Sequence, residues 1–443
     1  MNVARFAHGA LAVGLLALCA GCAHSALEGD ALLSEETARL RHAIEEVRGL
    51  TLSHDVPSRL IHADEVPAVV RRALLADASP EELAATQEAL VTLGLWPEGR
   101  DLLSSYVAVT GEAGAGFYLP HERTLYVVAD APLGSRVFAG LGGRDVAREM
   151  VLAHELVHAL QHEHHPFWFE HGALLRSHAD AASALQAALE GDATLYGFLA
   201  VDLPPPDPAR FRGGLEAGMS PQGGGALAVA PPLLRASLLF PYANGYALAW
   251  REGKELLASP PASTEQVLHP ERRHEAFEAI DLAAGRDALP RGCRLVDENT
   301  AGELELSLLL TDLAPDVPPA AWIGWDGDRY LAARCDDRRE LVWLTLWDSE
   351  RDAAEFADAY SRAAPAVAER ARFSGPPTVT QHAREVWIAS PGLEASAGAI
   401  FAHARRARVA TPEALAAHFG DREPGVDEPA QAGASGAAGG RGW

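Results

Sequence analysis

From Leu27 to Glu98 apolar residues recur at helical spacing, with start signals at Ser34-Glu35-Glu36 and again at Ser79-Pro80-Glu81-Glu82. The period then changes. Gly116-Phe117-Tyr118-Leu119 and Thr124-Leu125-Tyr126-Val127-Val128 are aromatic and β-branched runs joined by Pro120-His121-Glu122-Arg123, which predicts a β-hairpin. Helical spacing returns over Arg144 to Gln161 and over the Ala/Leu-rich run Ala179 to Leu199. Asp202 to Pro232 is rich in Pro and Gly and has no period, so it reads as a surface excursion or lid, because helical spacing resumes at Leu233.

A boundary falls near Ala288-Leu289-Pro290. Beyond it the spacing predicts strands over Ala321 to Trp325 and Arg329 to Ala333 around a turn at Asp326-Gly327-Asp328, and a third over Leu341 to Trp347. A helix over Ser349 to Ala363, a hairpin within Thr378 to Ile388 and a helix over Leu393 to Arg406 follow. Trp322, Trp325, Trp343 and Trp347 alternate with strand-like neighbours and read as core. The whole predicts an α+β protein: an export segment at 1–22, a mainly helical domain with a small sheet at 23–290, and a smaller α+β domain at 291–420. Residues 421–443 offer almost nothing to bury and read as a disordered tail.

The formal net charge of -24 argues against a nucleic-acid partner, since phosphate binding needs clustered cations that this field opposes. Lys254 is the one lysine. At the N-terminus Arg5 precedes an apolar run from Gly9 to Ala20, which has signal-peptide length and is too short to span a bilayer. Ala20-Gly21-Cys22 resembles the bacterial lipobox, with Cys19 where that pattern usually has Leu. The resemblance implies lipidation of Cys22, and Ala23 after it resembles the outer-membrane variety, so the expected location is exported and membrane-anchored through lipid. Cys293 and Cys335 then remain in a compartment that permits disulfides; they are a disulfide candidate, with two buried thiols as the alternative.

The chemistry concentrates in Val151-Leu152-Ala153-His154-Glu155-Leu156-Val157-His158-Ala159-Leu160. Residues four apart share a helix face, so both imidazoles can reach one cation while Glu155 projects beside them. A zinc ion so held lowers the pKa of a water to about 7 and polarises a carbonyl, and a neighbouring carboxylate serves as general base. Chance alone places the five-residue pattern in about one such chain in twenty, so the uncharged, mostly apolar context matters: it puts the charged cluster inside the protein. The extended pattern resembles the zincin metallopeptidases, which implies Zn2+ as cofactor and a peptide or protein as substrate.

Two histidines leave a tetrahedral zinc short of a protein ligand. Leu185-Gln186-Ala187-Ala188-Leu189-Glu190-Gly191-Asp192-Ala193 places one acid in an apolar helix downstream, as the gluzincins do, and makes Glu190 the favoured third ligand. His164 is the rival, six residues after His158 as in metzincins; those enzymes, however, have glycine where this chain has Gln161, and only Met219 could form their methionine turn. The gluzincin aspartate four residues after the ligand is Thr194 here, which leaves Asp192 or Asp180 to support a zinc-bound histidine. His162, His164 and His165 read as solvated residues at a helix end.

Further participants are expected at Thr124 to Val128, as an edge strand for an extended substrate, and among Tyr242, Tyr246 and His269, as oxyanion donors with His269 preferred. Pro261-Ala262-Ser263-Thr264-Glu265-Gln266-Val267-Leu268-His269-Pro270 has the look of a segment in uncharacterised bacterial exported peptidases, and no role follows from its residues. Leu27 to Pro97 could be a propeptide. A non-catalytic surface lipoprotein that keeps the zinc fold as a binding module is the alternative function; Glu155 argues against it, because zinc would be held without that residue.

Overall fold

The computed structural model describes residues 12–13, 26–129, 146–166, 169, 172–218 and 225–420. Cys22, Met219, the tail 421–443 and the export segment apart from Ala12–Val13 lie outside the described residues. The fold is α+β, as expected.

Helices α1 (Ala26–Arg48), α2 (Val66–Asp77), α3 (Pro80–Leu93) and α4 (Leu102–Ala113) come first. Ser79 and Glu82 cap α3 reciprocally and Gly94, at φ 82°, ends it, so this start signal works as read. The one at Ser34 does not: α1 runs straight through it. A first sheet has the order β1-β3-β4-β2, from β1 (Ala12–Val13), β2 (Ser58–Ile61), β3 (Gly116–Leu119) and β4 (Thr124–Val128). The expected hairpin is β3 and β4, while β2, parallel to β4, interrupts the stretch read as wholly helical. With β2 on one side and β3 on the other, β4 has no free edge, so Thr124 to Val128 cannot be the edge strand for a substrate.

Against this sheet lies α5 (Val146–His164), on which α6 (Ala179–Ala200) packs in turn, with α7 (Pro232–Glu252) against α6. α6 is the hub, packed on α1, α5 and α7. Its run of Ala and Gly is what admits three neighbours: a Cβ on Gly191 would lie 2.0 Å from the Gly245 carbonyl oxygen on α7, and one on Gly245 would lie 1.9 Å from that of Ala187. Leu40 and Ile44 of α1 are fully buried in the common core, so Leu27 to Pro97 is structurally integral to the domain. Within the Pro/Gly-rich stretch the chain forms a helix over Pro208–Gly218, with proline at its first position where no N–H is needed.

After β5 (Phe277–Asp281), the remainder builds a five-stranded sheet, order β6-β7-β8-β10-β9, from β6 (Cys293–Asn299), β7 (Trp325–Cys335), β8 (Arg338–Trp347), β9 (Thr378–His382) and β10 (Glu385–Ala389). Helix α8 (Gly302–Leu313) and the long α9 (Glu350–Ala371) cover one face, where Trp325, Trp343 and Trp347 are fully buried. The expected helix over Leu393 to Arg406 stops at Phe401, and β11 (Arg405–Val409) pairs antiparallel with β5, a ladder that straddles position 290. Cys293 and Cys335 face each other across β6 and β7 and form a disulfide.

Asp326-Gly327-Asp328 is not a turn. It lies inside β7 at a bulge, and the chain reverses instead at Asp336-Asp337. Gly327 has φ 145°, and a Cβ there would lie 2.1 Å from the Glu278 carbonyl oxygen, so the bulge is where β5 passes over the sheet. Asp328 accepts four N–H groups: Gly302 and Trp325 Nε1 on one oxygen, Ala301 and Trp343 Nε1 on the other, at 2.8 to 3.0 Å.

Candidate metal centre

Helix α5 is buried all round the site: Met150, Val151, Leu152, Ala153, Leu156 and Val157 are at most 1% exposed. His154, Glu155 and His158, also at most 1% exposed, therefore sit in apolar surroundings where unpaired polar groups are costly. The Nε2 atoms of His154 and His158 face each other at 3.0 Å, and Glu190 Oε2 stands 3.1 Å from the first and 3.5 Å from the second. Three ligand atoms held by one tetrahedral ion at roughly 2.0–2.1 Å would be about 3.3 Å apart, and the observed edges bracket that value. Two imidazole nitrogens facing each other can share only one proton, so a cation among the three acceptors satisfies all of them at once. The group His154, His158 and Glu190 could thus hold a metal ion.

The charges agree with that use. Burial lowers the His154 pKa. Burial acts the same way on His158, but the Glu190 carboxylate outweighs it and the pKa is raised. Glu190, which burial alone would push up, is drawn down to about 2 by the two imidazoles, so it faces them as a carboxylate.

Each member has a structural reason for its position. Glu190 reaches the histidines because α6 packs closely on α5: a Cβ on Gly197 would lie 2.9 Å from Met150 Cε and 3.5 Å from the His154 backbone nitrogen. Glu155 accepts a 2.7 Å hydrogen bond from the Tyr118 N–H of β3, and β3 comes so close only because Gly116 has no side chain: a Cβ would lie 2.5 Å from Val151 Cγ1. Tyr242 stacks on the His154 ring with centroids 6.1 Å apart. Tyr106, buried on α4, has its pKa raised by burial and then by the Glu190 carboxylate; nothing in its sequence context marked it.

Other expected residues are placed elsewhere. His164 Nε2 bonds the Thr51 carbonyl oxygen at 2.8 Å and is not among the three ligands. His162 is buried, not solvated, and bonds the Tyr118 hydroxyl at 2.9 Å. Tyr246 donates to the Pro206 carbonyl. His269 pairs with Glu303 at 2.7 Å and with Glu271 at 3.4 Å, and burial notwithstanding, these acids raise its pKa; it is not in the His154, His158 and Glu190 group. Asp180 turns to Thr264, accepting from its N–H and hydroxyl. Asp192 does reach the site, through Gln161: the Gln161 amide nitrogen donates to Asp192 Oδ2 at 2.9 Å, its oxygen meets His158 Nδ1 at 2.8 Å, and Arg48 of α1 ion-pairs with Asp192 at 3.3 Å.

The segment from Pro261 to Pro270 gains a structural role. Ser263 caps a one-turn helix, Thr264 joins Asp180 of α6 to the Leu304 N–H of α8, and Gln266 donates to the carbonyls of Glu275 and Ala410. It knots the helical part to the β-rich part.

A family model described as a domain of unknown function (DUF8575) matches residues 292–417, which contain the whole five-stranded sheet with α8 and α9. No curated protein and no solved structure matches the chain.

Proposed function

We propose that the protein is a zinc-dependent metallopeptidase of the gluzincin kind, with His154, His158 and Glu190 as ligands and Glu155 as general base. The observation that carries the reading is the buried triangle of two imidazole nitrogens and a carboxylate oxygen, with edges of 3.0 to 3.5 Å, beside a fourth group on the same helix that such a triangle does not need. Zinc supplies Lewis acidity when bound, bringing a water's pKa toward 7 and polarising a carbonyl. Glu155, one residue from His154 and tied to β3 through the Tyr118 N–H, would be the group to take a proton from that water and return it to a leaving amine. Export and lipidation at Cys22 belong to the same proposal and rest on the Ala20-Gly21-Cys22 pattern; among the described residues no helix is long and apolar enough to cross a membrane.

The test is Glu155→Gln, assayed on a library of unstructured peptides with mass-spectrometric detection of new termini. The variant should bind zinc as the wild type does and lose hydrolysis by at least about 100-fold. Hydrolysis at the wild-type rate would remove Glu155 from its role, and zinc binding with no hydrolysis by either protein would favour the non-catalytic binding module.

A further inference from the structure

A histidine can bind a metal through Nε2 only if the proton of its neutral ring sits on Nδ1. At His158 the surroundings decide this. Gln161, one turn along α5, is 2% exposed, and its two amide ends are distinguishable because of what they face. The Leu189 carbonyl oxygen, at 3.0 Å, can only accept, and the Asp192 carboxylate, at 2.9 Å, does so as well. Both amide hydrogens are therefore committed, and the amide oxygen is the end that meets His158 Nδ1 at 2.8 Å. That oxygen has no proton to give, so the proton between them belongs to Nδ1. The Nε2 lone pair is left pointing at His154 and Glu190.

Asp192 is fully buried and is held in turn by Arg48, itself 6% exposed, whose guanidinium also lies 4.9 Å over the Tyr196 ring. The line of contacts thus runs from α1 through α6 to the metal-facing ring on α5. His154 has no counterpart: its Nδ1 is buried without a hydrogen-bond partner among the described residues.

We propose that Gln161, fixed by Leu189, Asp192 and Arg48, is a positioning residue that selects the metal-binding tautomer of His158, and that α1 thereby belongs to the metal site. The inference rests on the reading of His154, His158 and Glu190 as ligands, and the experiment separates the two. The purified chain, metal-free and 15N-labelled, is examined by two-bond 1H–15N correlation with the pH raised until the His158 signals stop moving, because the Glu190 carboxylate lifts that ring's pKa above the ordinary value of about 6.5. Zinc affinity is measured in parallel by competition with a chromogenic chelator.

Wild-type His158 should show a protonated Nδ1 and a bare Nε2. Gln161→Leu should give a mixture of tautomers and lose about 10- to 100-fold in zinc affinity. Arg48→Met should move both readouts the same way by less, and Arg48→Lys should restore them in part; these variants also decide the matter if Gln161→Leu does not fold. A folded Gln161→Leu with the wild-type tautomer and zinc affinity within about threefold of wild type overturns the positioning role. A wild-type chain that takes up no zinc while showing the fixed tautomer overturns the ligand reading instead.

Discussion

Gly191→Ala puts the site's architecture under a test whose sign is in question. Alanine in a helix interior is intrinsically better than glycine by about 1 kcal/mol, so a soft contact here would make the variant more stable. The structure predicts the opposite. The new Cβ would stand 2.0 Å from the Gly245 carbonyl oxygen and 2.2 Å from its carbon, where real Cβ atoms essentially never come under 3.0 Å. The obstacle is backbone, so α6 and α7 must part by about 1 Å, a gap that forfeits a quarter to a half of the dispersion energy along their contact. Overpacking of this kind costs about 1–3 kcal/mol, and a rigid obstacle belongs at the upper end; less the helix gain, the net loss is about 2 kcal/mol. Because Glu190 adjoins Gly191, whatever part of the shift α6 takes up moves Glu190 relative to His154 and His158, where metal–ligand distances tolerate only roughly 0.2 Å, so metal affinity should fall as well. Urea unfolding of the metal-free chain isolates the packing term. Gly213→Ala is the control, because a Cβ there meets nothing within 4 Å and the helix gain should appear uncancelled. A Gly191→Ala chain as stable as the wild type, or more so, would refute the close crossing.

Two other substitutions probe buried carboxylates. Burial pushes the Asp180 pKa up to about 8 despite its hydrogen bonds from Thr264. The folded state then holds a proton that the unfolded state, with an ordinary pKa of about 3.9, has released, so Asp180 withdraws stability as pH rises from about 4 through 8. Asp180→Asn keeps an acceptor for Thr264 and never ionises; its melting temperature relative to wild type should climb between about pH 5 and pH 8, and a difference constant with pH would count against the shift. Asp328→Asn replaces one of two oxygens that each accept two N–H groups, leaving two buried donors facing an NH2, and should cost about 3 kcal/mol in denaturant unfolding. A loss under about 1 kcal/mol would show that those donors have other partners.

What the sequence disclosed follows from how local each feature is. The hairpin at 116–128, the helix bearing His154 and His158 and the Ala-rich helix bearing Glu190 are written in short-range period, and all three form. Four residues of β2 are too few to break a helical reading, and their pairing partner β4 is more than sixty positions away. Asp326-Gly327-Asp328 has turn composition, but its glycine serves a strand crossing and its Asp328 a set of four N–H groups, neither of which leaves a local mark. At the candidate site the grouping of His154, His158 and Glu190 was legible because helical spacing fixes His154 against His158, and because an acid in the apolar run at 185–193 needs a partner. Arg48 could not be found that way, since only the packing of α1 on α6 brings it to Asp192. Gln161 was noted for the glycine it replaces, not for the amide contacts it makes.

The central claim is that His154, His158 and Glu190 form one metal site, and elemental analysis of the purified chain at neutral pH tests it most directly, with Glu190→Ala and His164→Ala beside the wild type. The account predicts about one zinc per chain for the wild type and for His164→Ala, and a large loss for Glu190→Ala. Zinc kept by Glu190→Ala and lost by His164→Ala would pass the third position to His164, and a wild-type chain that takes up no metal even when zinc is supplied would contradict the site altogether.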